Sequence, residues 1–137
     1  MNLYDERLSA IIALSGTTFT WLFGGWDIAL QVLISFMAMD YITGLLRGFI
    51  TNKWSSDKGF KGIARKSVIL IILMLSVMLD RLINNGQWIF RTLICYFYIA
   101  NEGLSILENV VAIGLPIPPR IKEALEQLKE GNKKSRI

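Results

Sequence analysis

The run Ser67–Leu79 carries no charged residue and is ended by Asp80. Soluble chains of 137 residues rarely hold so long an uncharged stretch, so the segment points to lipid rather than to a water-soluble core. A membrane span needs roughly 20 mostly apolar residues at about 1.5 Å rise each. Ile28–Leu46, Ser67–Ile83 and Ile89–Leu107 meet that requirement. Asn84-Asn85-Gly86-Gln87 separates the last two by a tight polar turn, which predicts an antiparallel helical hairpin. The expected fold class is an all-α integral membrane protein with three or four transmembrane helices and a short amphipathic C-terminal helix.

The organisation follows from that reading. Residues 1–27 form an N-terminal segment in which Leu8–Phe23, rich in Ser and Thr, is either a short fourth span or a helix in the interface, with Trp21 and Trp26 at headgroup level. It does not read as a cleaved signal peptide, because Asp5 and Glu6 offset Arg7 and no small-x-small site follows. Residues 28–109 hold the transmembrane bundle. In residues 110–137, Pro116, Pro118 and Pro119 break the helix. Ile121, Ala124, Leu125 and Leu128 then recur on one helical face, and a basic, polar tail follows.

Charge sets the orientation and narrows the function. The chain has a net charge of +4, no histidine and one cysteine, Cys95. The commonest general base and metal ligand is therefore absent, no internal disulfide can form, and neither enzymatic activity, a metal nor a cofactor is expected. The cations gather in two blocks, one from Arg47 through Lys53, Lys58, Lys61 and Arg65 to Lys66, the other in the C-terminal segment. Beside apolar runs, such blocks indicate a membrane surface rather than nucleic acid. Both are expected to be cytoplasmic, with Lys53, Lys58, Lys61, Arg65 and Lys66 in a basic loop and two spans between loop and tail.

Ionisable groups inside spans are costly, and they are functional hypotheses by default. Asp80 and Arg91 flank the hairpin turn and are expected to form an interhelical ion pair. Asp40 and Glu102 share a depth near the cytoplasmic side, where two like charges either raise a pKa or face water. Asn101, Glu102, Ser105, Glu108 and Asn109 make a polar stripe on the last span, and Asp40, Gly44 and Arg47 make a second on the first. Such faces must be hidden in a bundle or line an aqueous path. Gly44-x-x-x-Gly48 matches a close-packing motif, though Arg47 lies inside it. Gly59–Ser67 lacks the Gly-Lys order of a phosphate loop. Cys95 reads as a small buried hydrophobe.

Several stretches resemble the toxin-secretion/phage-lysis holin family: Asp40-Tyr41-Ile42-Thr43-Gly44-Leu45-Leu46-Arg47, the Gly59–Lys66 segment, Tyr98–Asn109 with its Asn-Glu and Ser-Ile-Leu-Glu-Asn elements, and Gly114-Leu115-Pro116-Ile117-Pro118. The likeness runs from about Asp40 to Leu128. It implies a protein of the host bacterial cytoplasmic membrane, from a Gram-positive phage, prophage or toxin locus, that associates with itself and opens lesions releasing an endolysin or toxin. Two rivals share the residue pattern. An antiholin would protect cells rather than kill them, and a small channel or transporter subunit would pass ions alone.

Overall fold

The computed structural model describes residues 2–130. They form five helices and, among the described residues, no strand: α1 (Leu3–Phe23), α2 (Ile28–Ile50), α3 (Ser56–Ile83), α4 (Phe90–Ile113) and α5 (Pro119–Glu130). The basic tail anticipated beyond Glu130 lies outside the described residues.

Local chemistry explains most of the boundaries. Asp27 caps α2 by accepting the Leu30 N–H, and Ser55 caps α3 by accepting that of Lys58. Gly24 and Gly114 close α1 and α4 in the left-handed conformation, at φ 80° and 100°. Asn85 and Gly86, also at positive φ, turn the chain between α3 and α4. The cap at Ser55 corrects the expected loop over 51–66. Residues 56–66 are the first three turns of α3, and only the short link 51–55 is a loop.

α4 is the central helix, packed against α2, α3 and α5, while α1 rests on α3. Leu30, Leu33 and Met37 of α2 meet Ile69 and Leu73 of α3 and Cys95 and Ile99 of α4 in the buried core. α5 folds back along α4. A Cβ on Gly103 would lie 2.8 Å from a Leu125 methyl and 3.2 Å from the Phe36 ring, so the glycine makes room for α5.

The outward faces are also apolar: Ile42, Leu46 and Phe49 on α2, Ile71 and Leu75 on α3, and Leu93 and Phe97 on α4 are exposed. Facing water, surfaces of that kind are an aggregation liability; facing hydrocarbon they are not. By length and composition, α2 and α3 are long and apolar enough to cross a membrane. α4 is as long, but Arg91, Glu102 and Glu108 interrupt its apolar character.

Candidate functional site: two buried ionic clusters

The first cluster joins α2, α3 and α4. Lys66 Nζ donates to Asp40 Oδ2 at 2.7 Å and to Glu102 Oε2 at 2.6 Å. All three side chains are at least four-fifths buried, at 16%, 15% and 9% exposure. Lys66 is thus not part of a solvated basic loop. The two carboxylates expected to repel one another or face water share one ammonium instead.

Asn109 extends this network. Its Nδ2 donates to Asp40 Oδ1 at 3.1 Å and to Thr43 Oγ1 at 3.0 Å, and its Oδ1 accepts from Arg47 Nη1 at 3.4 Å. Gly44 lies beneath it, where an added Cβ would sit 3.7 Å from Asn109 Nδ2. No buried side-chain N or O among the described residues lacks a partner, so the desolvation of three charges is met by short charge-assisted contacts.

A cavity of about 620 Å³ adjoins this network between α2, α3 and α4, with Asn101 and Ser105 among its walls. Glu108 is exposed and makes no hydrogen bond or ion pair with the cluster. Of the two anticipated stripes, Asp40, Gly44, Arg47, Glu102 and Asn109 therefore meet directly, Asn101 and Ser105 border the adjacent space, and Glu108 stands apart. Among the other basic residues, Lys58 and Arg65 line the cavity, whereas Lys61 is exposed and pairs with Asp57 at 2.9 Å.

The second cluster lies at the end of the bundle where the turns 24–27 and 84–89 meet, and it corrects the anticipated Asp80–Arg91 ion pair. The Arg91 guanidinium, 2% exposed, makes a bidentate pair with Asp27, Nη1 to Oδ2 at 2.7 Å and Nη2 to Oδ1 at 3.0 Å. Its Nε also donates to the Phe23 carbonyl at 2.6 Å, and Nη2 to the Gly25 carbonyl at 3.2 Å. A Cβ on Gly24 would lie 2.8 Å from Arg91 Nε, so glycine is required there for approach as well as for φ.

Asp80 addresses backbone rather than guanidinium. Its two oxygens accept the N–H groups of Phe90 and Arg91, at 2.9 and 2.8 Å, and Oδ1 also accepts from Asn84 Nδ2 at 2.9 Å. α4 has no side-chain cap of its own at Ile89, so Asp80 supplies one from the preceding helix. Beside it, Arg81 donates to the Trp21 carbonyl at 2.9 Å and lies over the Trp21 and Trp88 rings. The hydrogen bonds from Arg91 hold the Asp27 carboxyl below its ordinary range, against a smaller effect of burial.

Two residues of these clusters escape a reading of the sequence. Asp27 carries only the signal of a helix cap before an apolar run, and Lys66 looks like one more cation in a basic block.

The profile of the bacteriophage holin family matches residues 17–130. The chain is 55% identical over 119 residues to an uncharacterized 14.9 kDa protein in the nagH 3′ region of Clostridium perfringens, covering 87% of this chain and 89% of that one. It is 42% identical over 122 residues to an uncharacterized protein of Clostridium acetobutylicum, covering 89% and 98%. With the uncharacterized protein YqxH of Bacillus subtilis it shares 34% identity over 117 residues, covering 85% and 81%. No solved structure matches the chain.

Proposed function

The chain belongs to the bacteriophage holin family, and from that premise we propose that it associates with copies of itself in the host cytoplasmic membrane and opens lesions that release an endolysin or toxin. α2, α3 and α4 cross the bilayer in this reading, the link 51–55 lies on the cytoplasmic side, and α5 folds back from that side along α4. α1 supplies a fourth crossing or an interfacial helix.

The observation that carries the reading is the polar seam of Lys66, Asp40, Glu102 and Asn109, buried in a bundle whose outer faces are apolar. A lone chain satisfies the seam internally and is inert in lipid. Within lipid, apolar burial cannot drive helices together, so packing and polar contacts must do so. On assembly the seam exchanges its internal partners for neighbouring copies and water, and lines an opening. A selective cation path through Asp40 and Glu102 is disfavoured, because Lys66 already occupies the space between them.

The test is induced expression in bacteria that hold an endolysin in the cytoplasm. Abrupt lysis at a fixed time is expected, and Glu102→Leu should reach the membrane at normal levels but abolish or greatly delay lysis. Abundant membrane-inserted protein without lysis would overturn the reading, as would protection of cells from a second holin.

A further inference from the structure

The cavity between α2, α3 and α4 changes character along its length. Towards the 51–55 link its walls are Lys53, Trp54, Lys58 and Arg65. Past the Lys66, Asp40 and Glu102 network on one wall, towards the middle of the bundle, they are Val68, Ile69 and Ile72. On α3, the positions Lys58, Arg65, Ile69 and Ile72 span about 21 Å of one helix, at 1.5 Å per residue. That is a basic, aromatic mouth continuous with an apolar floor.

Aromatic residues of the walls lie against glycine. Tyr41 reaches across from α2 so that an added Cβ on Gly62 would meet its ring at 3.6 Å, and one on Gly59 its hydroxyl at 3.5 Å. Trp54 backs onto Gly48 in the same way, at 3.2 Å. The two carboxylates in the wall share Lys66, which leaves one negative charge against the three cations of the mouth. Lys53 and Arg65 enter no ion pair among the described residues, and Lys58 reaches only the Lys53 carbonyl, at 3.4 Å. The mouth thus has a surplus of positive charge.

We propose that this cavity is a binding site for an anionic glycerophospholipid, its phosphodiester held by Lys58 and Arg65 at the mouth and an acyl chain lying along Val68, Ile69 and Ile72. A free phosphate has no use for the apolar floor, and a neutral lipid has none for the cations. Basic pockets between membrane helices take anionic headgroups on these grounds. The inference rests on the membrane placement proposed above but not on lesion formation.

The test reconstitutes the full chain into phosphatidylcholine vesicles with and without phosphatidylglycerol, washes them at alkaline pH, and counts co-purifying lipid by native mass spectrometry. Phosphatidylglycerol should be retained well beyond its share of the vesicle. Lys58→Gln with Arg65→Gln should reduce that retention about 25-fold, about fivefold for each cation at a membrane surface. A control pair, Lys61→Gln with Lys122→Gln, removes the same charge away from the cavity and should leave retention unchanged.

Equal retention of both lipids by an integrated chain would overturn this site while leaving the membrane placement standing. So would an equal loss in the control pair, retention unaffected by Lys58→Gln with Arg65→Gln, or displacement by inorganic phosphate. A chain washed off both vesicles would overturn the placement and the site together.

Discussion

Asp27 and Asp80 lie at the same end of the bundle and both contact Arg91, one through its guanidinium and the other through its backbone N–H. The distinction has measurable consequences. Removing the Arg91 side chain leaves the Asp80 cap in place, so Asp80→Asn and Arg91→Gln should destabilise additively. Asp27→Asn and Arg91→Gln share a bond and should not, with a coupling of about 1 kcal/mol, since the Asp27 side chain is 50% exposed. Thermal unfolding of the three single and two double variants in detergent separates these cases. Asp80→Ala removes acceptors from two helix-end N–H groups and should cost about 1–2 kcal/mol by itself.

The Asp27 carboxyl also gives a pH signature. Its pKa is lowered in the fold, so its stabilisation is complete above the unfolded value of about 3.9 and is lost as pH falls through the lower folded value. The difference in Tm between the parent and D27N should be constant from about pH 7 to pH 5 and shrink below about pH 4. A difference that stays constant below about pH 4 as well would show that the Asp27 charge adds nothing to the fold.

At the scale of the helices, α2, α3 and α4 are fastened by one lysine between two carboxylates. Lys66→Met strands two buried anions on different helices, and loss of one partner from a buried pair costs about 3–5 kcal/mol. Glu102→Gln leaves a balanced Lys66–Asp40 pair and should cost much less. The triple change Asp40→Asn, Lys66→Met, Glu102→Gln should recover most of the loss, read as protein accumulation in membranes and as Tm. Failure of the triple variant to recover would mean that Lys66 acts through something other than charge.

This cluster also marks how far a sequence can be read. The apolar runs locate α2, α3 and α4 because helical burial is a local pattern. The polar spacing from Asn101 to Asn109 likewise places Glu102 and Asn109 on neighbouring faces. Lys66, however, meets partners 26 and 36 residues away, and Asp27 meets one 64 residues away. Those pairings depend on how each helix is rotated, which no local period encodes. The start of α3 was obscured differently: Gly59 and Gly62 lower helix propensity, yet they are where Tyr41 packs.

For the whole molecule, Arg91 lies at the start of α4 and Glu102 near its middle, about 16 Å further along, so a bilayer of roughly 30 Å would enclose the Lys66 cluster and leave the Arg91 cluster at one face. In a Cys95→Ser background, a cysteine at Gln87 should react with a membrane-impermeant thiol reagent in intact cells, and one at Ser56 should not. Labelling of Ser56 before lysis would reverse the topology. The Arg91 clasp has a further consequence for biogenesis. The elbow between α1 and α2 precedes its fastening residue by 64 positions, a delay of about 3–13 s at ordinary translation speeds. Until Arg91 leaves the ribosome, α1 is held only by its linker and by α3, through Arg81 on Trp21, and lacks the clasp at its C-terminal end. Chains truncated before Phe90 should therefore show mixed placement of the N-terminus, and α4, made late, would fix the placement of α1.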